Sequence, residues 1–269
     1  MKQKIVPIVL ILLGAAFIIL MLILPLATVL VYALRQGWGT FAASITDDYA
    51  VKAMHLTLLA TSITVVINTA FGIFAAWAIT KFSFRGKQAL TTLIDIPFSI
   101  SPIIAGLVFI LVFGRIGWAY PLLEAWDIKI VFAVPGIVLA TMFVTFPFIS
   151  RELIPLMQSQ GSDEEEAAAL MGAKGFRIFR KVTFPHIKWG LLYGVILCTA
   201  RAMGEFGAVS VVSGHLRGKT NTLPLHVEIL FNEFKLTSAF AVSSILVVFA
   251  VIILILRFIV ERRVKSQEV

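Results

Sequence analysis

Charged residues are scarce in this chain of 269 residues, of which Asp, Glu, Lys and Arg together make up only 14%. A typical soluble domain carries about 25% charged residues. Hydrophobic residues account for 59% of the chain. The composition therefore excludes a soluble domain of appreciable size and favours a membrane protein.

Cysteine is almost absent as well. Cys198 is the only cysteine in the sequence, so no disulfide can form within the chain. The sequence also lacks internal repeats, heptad runs and low-complexity tracts. These absences exclude a disulfide framework and a repeat architecture, and they leave the cellular compartment open.

What the chain has instead is a set of long apolar runs. A bilayer core about 30 Å thick needs roughly 20 mostly apolar residues in a helix, and six runs reach this length. Because lipid offers the backbone no hydrogen bonds, runs of this kind must be helical. The sequence therefore predicts an all-α polytopic membrane protein with six transmembrane helices. The predicted spans are Ile5–Leu34, His55–Thr80, Ala89–Phe113, Ile130–Ile149, Trp189–Val212 and Ser238–Val260.

The first run follows Lys2 and Lys4 and so looks like the start of a secretion signal. It is about twice as long as the apolar part of such a signal, and no small-residue cleavage site follows it. We therefore expect it to be retained as a helix. The predicted organisation is an N-terminal helix with its first outer loop in residues 1–50, a transmembrane domain in 51–260 and a cytoplasmic tail in 261–269.

The net charge of +8 is explained by topology, and no nucleic acid partner is expected. Most of the 23 Lys and Arg residues lie before the first span, after the sixth span, or in the loops that follow the second and fourth spans. Cytoplasmic loops of membrane proteins carry such an excess. The pattern predicts that both termini face the cytoplasm.

The most polar segment is the loop of residues 162–185, on the predicted cytoplasmic side. Ser162 and Glu165 match a capping box, and the run of acidic residues after Ser162 suits the positive end of a helix. Three alanines follow, and then Gly172, which can make the left-handed turn that ends a helix. The pattern predicts a short helix over about Asp163–Met171, and a capping box alone would indicate no more than a surface helix.

A second amphipathic stretch is predicted over Phe176–Val182. Its apolar side chains Phe176, Phe179 and Val182 recur at helical spacing, opposite three basic residues. Pro185 then marks the exit from the loop towards the fifth span.

The order of residues in this loop resembles the EAA loop of the membrane-spanning subunits of ABC importers. It reads Glu166-Ala167-Ala168, then Gly172, then Val182 three residues before a proline. In that family the loop forms a cytoplasmic coupling helix that sits in a groove of an ATP-hydrolysing subunit. The resemblance implies a type I ABC importer permease fold and a docking surface for the ATPase. That implied surface consists of Glu165, Glu166, Ala167, Ala168 and Gly172.

Nucleotide binding by this chain itself is not expected. Gly214–Thr220 contains two glycines and a Lys-Thr pair, but three residues separate the glycines where a phosphate-binding loop has four. No strand is predicted before this segment, and it lies on the predicted outer side. The nucleotide site is therefore expected on another polypeptide. The resemblance implies a non-catalytic subunit without a cofactor or metal of its own, with ATP and Mg bound by partner ATPase subunits.

Two ionisable residues lie inside the fifth predicted span. Arg201 and Glu205 are four residues apart, which places them on one face of a helix. Ionisable groups at membrane depth are costly and mark either aqueous paths or structural ion pairs, and both interpretations stay open at this point. The candidate translocation pathway or gate comprises Arg201, Gly204 and Glu205, with Ser99 and Ser101 as further hydroxyl donors.

The fifth span and the loop after it indicate a particular group within this family. The run Arg201–Ser210 and the segments 213–218 and 222–225 resemble the sulfate/thiosulfate and molybdate importer permeases, and most of all the CysW-type sulfate subunit. The resemblance covers about Val51–Phe258.

This resemblance implies a permease subunit of an ATP-driven importer in the bacterial inner membrane, forming half of a pathway for sulfate or thiosulfate. The implied partners are a second permease subunit of the CysT type, two ATPase subunits and an extracytoplasmic sulfate-binding protein. The outer loop 213–237 is either a contact for that binding protein or a solvated connector. The alternatives are a molybdate or tungstate permease, and a secondary anion transporter, which would explain the Arg–Glu pair but not the coupling helix.

Overall fold

The computed structural model describes residues 2–265, with side chains described for residues 9–262. Every regular element in this part of the chain is a helix. The first seven helices are α1 (Lys2–Ile18), α2 (Leu24–Leu34), α3 (Gly37–Ile45), α4 (Asp48–Lys81), α5 (Lys87–Ser99), α6 (Pro102–Phe113) and α7 (Tyr120–Ala125). The other helices are α8 (Val134–Thr145), α9 (Pro147–Gln160), α10 (Asp163–Leu170), α11 (Gly175–Ile178), α12 (Phe184–Met203), α13 (Gly207–Ser213), α14 (Leu223–Asn232) and α15 (Leu236–Lys265). Short π-helical segments join α1 to α2 and α11 to α12, at Ile19–Ile23 and Phe179–Thr183.

Within residues 2–265, four helical segments are each long and apolar enough to cross a membrane. These segments are Val9–Leu34, Asp48–Lys81, Val134–Gln160 and Leu236–Arg262. Two further pairs of helices pass the same test only together: α5 with α6, bent by 108°, and the helix ending at Met203 with α13, bent by 51°. The predicted all-α polytopic fold is confirmed, and six spans are present when each bent pair is taken as one span.

The third and fifth predicted spans are not single helices, contrary to the sequence analysis. α5 ends at Ser99 and α6 begins at Pro102, because proline lacks an N–H group and disfavours helical backbone in the residue before it. In the fifth span, α12 ends at Met203, and Gly204 and Gly207 flank the gap before α13. A count of apolar residues does not reveal such breaks, since proline and glycine are also common in unbroken membrane helices.

The 34-residue helix α4 lies against α8, α9 and α12. Most of its buried residues are small or weakly polar, which lets neighbouring helices approach closely. A β-carbon on Gly72 would come within 2.6 Å of the Ile149 side chain. Asn68 donates hydrogen bonds to the Met142 carbonyl at 3.2 Å and to Thr145 Oγ1 at 2.9 Å. Both close packing and polar contacts therefore fix α4 to its neighbours.

The N-terminal span contacts the rest of the chain mainly through α2. Of its residues 9–34, only Ala33 is buried. α2 packs on α15, where the rings of Tyr32 and Phe240 lie 5.3 Å apart. The first span is thus a largely exposed helix, and its retention stays a prediction.

The predicted domain boundaries follow no break in the helices. Residue 50 lies inside α4 and residue 260 lies inside α15, so the division into domains stays a prediction. The side chains of Lys2 and Lys4, and those of residues 263–269 in the predicted tail, lie outside the described residues. The predicted orientation of the termini therefore also stays a prediction.

A second glycine contact holds the two broken spans together. A β-carbon on Gly106 of α6 would lie 2.7 Å from the Ala208 carbonyl oxygen and 2.9 Å from Val211 Cβ. Both distances are shorter than van der Waals contact, so α6 and α13 can pack this closely only with glycine at this position.

We expect Gly106→Ala to lower the free energy of unfolding by about 1–3 kcal/mol, because the α13 backbone must shift to admit the methyl group. Thermal unfolding of the purified protein in detergent measures the change. Gly14→Ala is the matched control, since Gly14 also lies in a helix but a β-carbon there meets nothing within 4 Å. Equal midpoints for the two variants would contradict the close packing of α6 on α13.

Candidate functional site

The breaks in the third and fifth spans meet in space. A β-carbon on Gly207, the first residue of α13, would lie 3.0 Å from Pro102 Cβ and 3.6 Å from the Ile103 nitrogen at the start of α6. Irregular backbone at membrane depth is tolerated only where protein buries it or where it lines an aqueous cavity. The contact between the breaks is therefore the first candidate site in the bundle.

Glu205 lies in the gap between α12 and α13 and is only 2% exposed. Its Oε2 atom lies 2.5 Å from Arg201 Nη1, and its Oε1 atom accepts a hydrogen bond from the Ala208 backbone N–H at 2.8 Å. The carboxylate thus satisfies a donor at the start of α13 and is neutralised by a cation near the end of α12. The Arg201 side chain is less enclosed, with 33% of its surface exposed.

The prediction that Arg201 and Glu205 share one helix face is wrong, because α12 ends at Met203. The pair forms across the end of the helix instead. Gly204 caps α12 with φ of −92° and ψ of 10°, and the Glu205 N–H donates to the Ala202 carbonyl at 3.2 Å. This turn carries the Glu205 carboxylate back towards the arginine. Glu205 has the geometry of a structural anchor, while Arg201 keeps a partly open guanidinium.

Ser99 and Ser101 flank the break between α5 and α6, and both are exposed. They line a groove of about 460 Å³ whose remaining lining residues are apolar. Ser101 directly precedes Pro102, so it lies where the two breaks meet. Gly204 is open, since the nearest atom to a β-carbon there is the Ala200 carbonyl oxygen at 3.8 Å. Ser99 and Ser101 thus share one groove, and the lining of that groove does not include Arg201, Gly204 or Glu205.

The charged loop contains the predicted short helix, α10. The helix ends at the predicted place, where Gly172 has a φ of +84°, a conformation that favours glycine. The N–H groups of Gly172 and Ala173 donate to the carbonyls of Ala169 and Ala168 at 2.9 and 3.0 Å, which completes a Schellman motif. The C-terminal end of α10 is therefore fixed by a sharp reversal of the chain.

The predicted capping box at the other end of α10 is not formed. Ser162 Oγ donates to the Glu166 carboxylate at 2.6 Å and makes no bond to the helix backbone. Glu165 contacts other helices instead, because its Oε2 lies 3.1 Å from Lys81 Nζ and its Oε1 accepts from Thr183 Oγ1 at 2.6 Å. The Glu165 side chain is 18% exposed. Glu165, one of the five residues predicted to contact an ATPase, thus faces the helix bundle of its own chain.

The other four predicted docking residues lie towards the surface of the loop. Glu166, Ala167 and Gly172 are exposed, and Ala168 is half-buried. A β-carbon on Gly172 would meet nothing within 4 Å. The geometry leaves this side of α10 free for a close approach, and docking by these residues stays a prediction.

Sequence reasoning missed the high exposure of three apolar residues on the same loop. Leu170, Met171 and Phe176 are 90%, 83% and 78% exposed. Phe176 was predicted to share a face with Phe179, but Phe179 packs on Trp77 with ring centroids 5.7 Å apart. A cluster of large exposed apolar side chains in a polar loop indicates a protein contact. Their position in an otherwise charged segment was the signal available in the sequence.

The outer loop after the fifth span is largely folded against the bundle, so the interpretation as a solvated connector does not hold for α14. The Leu223 N–H at the start of α14 donates to Thr57 Oγ1 at 2.8 Å. His226 on this helix is buried, and burial lowers its pKa, so the ring is neutral at pH 7. The tip is different, because Phe234 is 90% exposed with a φ of +60°.

The segment Gly214–Thr220 does not have the strand, loop and helix of a phosphate-binding loop. It is a succession of turns in which Gly214, His215 and Gly218 have φ values of 69°, 53° and 70°. Thr220 Oγ1 donates to the Ser213 carbonyl at 2.7 Å and so closes the segment on itself.

Comparison with solved structures identifies the fold. The chain matches one in the crystal structure of a bacterial alginate ABC transporter in complex with alginate pentasaccharide-bound periplasmic protein, with a TM-score of 0.80 and 15% identity. The match covers 96% of this chain and 93% of the other, and at this identity it speaks for the fold. The predicted type I ABC importer permease fold is confirmed.

Sequence comparisons place the chain more narrowly. The family model for the binding-protein-dependent transport system inner membrane component matches residues 68–266. The sulfate transport system permease protein CysW of Synechococcus elongatus is 46% identical over 266 residues, covering 99% of this chain and 93% of the relative. CysW of Escherichia coli K12 is 45% identical over 94% of this chain and 86% of the relative. CysT of the same organism is 32% identical over 88% of this chain and 86% of the relative. The chain therefore belongs to the binding-protein-dependent permease family, within which it groups with the CysW proteins.

Removal of Arg201 would leave the Glu205 carboxylate buried without its cation. We expect Arg201→Met to destabilise the purified protein by about 3 kcal/mol, measured by thermal unfolding in detergent. Arg201→Met combined with Glu205→Gln should recover most of the loss, because glutamine keeps an acceptor for the Ala208 N–H. The control is Arg217→Met, which breaks a half-exposed pair with Glu233 and should cost less than about 1 kcal/mol. If the double variant lost as much stability as the two single variants together, the Arg201 and Glu205 side chains would not be coupled.

Proposed function

We propose that this chain forms half of the translocation pathway of an ATP-driven importer for sulfate and thiosulfate. The observation that carries the proposal is the near-full-length similarity to CysW, a sulfate transport system permease. The chain itself would catalyse no covalent step. ATP and Mg would bind to partner ATPase subunits, and the energy of nucleotide binding and hydrolysis would move this subunit between outward-open and inward-open states.

The second half of the pathway would be a related permease of the CysT type. Escherichia coli K12 has both a CysW and a CysT protein, and this chain is more similar to the former than to the latter. Six spans are few for a complete pore, so a permease partner is expected in any case. The two sulfate-type permeases support a heterodimer rather than a homodimer.

The ATPase subunit would dock on the exposed side of α10. Glu166, Ala167 and Gly172 are small or acidic and allow close approach, while Leu170 and Met171 supply apolar anchors of the kind that dominate protein interfaces. The loop would then lie on the cytoplasmic side of the inner membrane, with both termini on that side. A secondary anion transporter would have no use for such an exposed apolar and small-residue helix.

The anion would pass the point where the two helix breaks meet. Arg201 offers a partly exposed guanidinium, and Ser99 and Ser101 offer hydroxyls, all of which can hydrogen-bond a tetrahedral oxyanion. Glu205 holds the guanidinium by a short ion pair, so that Arg201 attracts a passing anion without trapping it. An extracytoplasmic sulfate-binding protein would deliver the anion and contact the outer loop, for which the exposed Phe234 is an anchor.

The proposal is tested on the purified complex of both permeases and the ATPase subunits in proteoliposomes. Binding protein loaded with sulfate or thiosulfate should stimulate ATP hydrolysis several-fold over unloaded binding protein, and uptake should resist a proton ionophore. Stimulation by a molybdate-loaded protein alone would assign the chain to the molybdate importers. Uptake that collapses with the ionophore while ATP stays high would overturn the ATP-driven mechanism.

We expect Gly172→Glu to leave membrane insertion intact but to abolish co-purification of the ATPase subunit, because a bulky charge blocks close approach to α10. Affinity purification of the complex from detergent extracts measures the effect. Gly86→Glu is the matched control, since Gly86 also has a positive φ and an open environment, in the loop between α4 and α5. Normal co-purification with Gly172→Glu would count against the docking assignment.

A further inference from the structure

The inward side of α10 carries a clamp of three side chains, which we call the Lys81 clamp and which consists of Lys81, Glu165 and Thr183. Lys81 Nζ lies 3.1 Å from Glu165 Oε2 and also donates to the Gly161 carbonyl. Thr183 Oγ1 donates to the second oxygen of the same carboxylate at 2.6 Å. Both oxygens of Glu165 are therefore engaged, one by a cation and one by a hydroxyl.

The clamp joins α10 to three membrane-spanning helices. Lys81 is the last residue of α4, Gly161 is the residue that caps α9, and Thr183 directly precedes α12. The ends of α4 and α12 contact the Glu165 carboxylate directly, and the end of α9 is joined to them through Lys81. A displacement of α10 would therefore reach the bundle through Glu165.

The clamp is well enclosed for a loop contact. The Lys81 and Glu165 side chains are 11% and 18% exposed, and Thr183 is 4% exposed. An ion pair shielded from water is stronger and less screened than a surface pair, and breaking it by removal of one partner is costly. By contrast, the neighbouring pair of Glu164 with His186 spans 3.3 Å, with side chains 67% and 42% exposed. Of these two ion pairs of α10, the one in the Lys81 clamp has the burial expected of a fixed mechanical link.

One of the clamped helices leads directly to the candidate pathway. α12 starts after Thr183 and carries Arg201 near its far end, 18 residues away, which corresponds to about 27 Å along a helix. The helix is uninterrupted from Phe184 to Met203, so a shift at its start is transmitted to the Arg201–Glu205 pair.

We propose that Lys81 and Glu165 are positioning residues that couple the docked ATPase to the pathway, with Glu165 acting as an internal link rather than as part of the docking surface. The inference rests on the proposed function, because it presumes an ATPase seated on the outer side of α10. Loss of the clamp would let α10 follow the ATPase without carrying α4 and α12 with it. ATP hydrolysis would continue, and transport would fall.

The test measures sulfate imported per ATP hydrolysed by the assembled complex in proteoliposomes. Lys81→Met and Glu165→Gln, which remove charge but keep side-chain length, should each lower this ratio by about three- to tenfold, with ATPase co-purification unchanged. Their combination should be no worse than either alone, since both break the same unit. Thr183→Val, which keeps the shape of the side chain, should lower the ratio in the same direction.

Two matched control variants test whether a lower ratio is specific to the clamp or follows from any loss of charge in the loop. Glu164→Gln removes the neighbouring carboxylate of α10, and Lys174→Met removes an exposed lysine of the same loop, and both should keep the wild-type ratio. An unchanged ratio in Lys81→Met and Glu165→Gln would overturn the proposal. Loss of ATPase co-purification in Glu165→Gln would overturn it as well, because Glu165 would then belong to the docking surface.

A second readout does not depend on the identity of the substrate. In a Cys198→Ala background, the rate of thiol labelling at Ser101→Cys is compared with and without ATP and vanadate. The nucleotide should change the labelling rate when the clamp is intact and should leave it unchanged in Lys81→Met. If the nucleotide acts only with the clamp intact but no sulfate is imported, the proposed substrate fails and the clamp stands. An equal response in Lys81→Met, or no response with the clamp intact, refutes the clamp.

Discussion

The structure depends on the satisfaction of backbone groups where two membrane-spanning helices are broken. Lipid supplies no hydrogen bonds, so each exposed N–H or carbonyl must find a partner inside the protein. At the break in the third span, Pro102 removes one N–H altogether. At the break in the fifth span, the Glu205 carboxylate accepts from the Ala208 N–H, and its burial in turn requires the cation of Arg201. The ion pair is therefore needed because the helix is broken at this point. The exposed part of the Arg201 guanidinium is the part of the pair that a solute can contact.

The sequence allowed most of the architecture to be predicted, because the governing signals are local. Apolar runs of about 20 residues predict membrane helices, and the acidic run, the alanines and Gly172 predict both ends of α10. The breaks at Ser101 and Gly204 were missed for a physical reason. Proline and glycine also occur in continuous membrane helices, and whether a helix breaks there depends on the contact between α6 and α13, which brings together residues about 100 positions apart.

The roles of single side chains in the loop were harder to predict than its helix. Ser162 and Glu165 have the spacing of a capping box, but that pattern considers only the helix itself. Lys81 lies far away in the sequence, and its ammonium group offers Glu165 a stronger partner than a backbone N–H. In the same way, attention to the small residues of the loop left the exposed Leu170 and Met171 unnoticed. The roles of these side chains depend on their partners in the folded protein and on their exposure. Neither property can be read from the local spacing of residues.

The two sides of α10 have different properties, and under the proposed function they would let a helix of eight residues connect an ATPase subunit to the membrane pathway. An apolar and small outer side allows a large contact, but it does not determine which membrane helices will move. The inner side determines this, because a carboxylate held by both oxygens resists sliding in a way that apolar packing does not. A displacement of α10 would then be passed through Glu165 and Thr183 to α12, which is a regular helix up to Met203. The first irregular backbone along that path is Gly204, beside the Arg201–Glu205 pair. A displacement that starts at the loop would therefore be taken up at the break, where the proposed pathway residues lie.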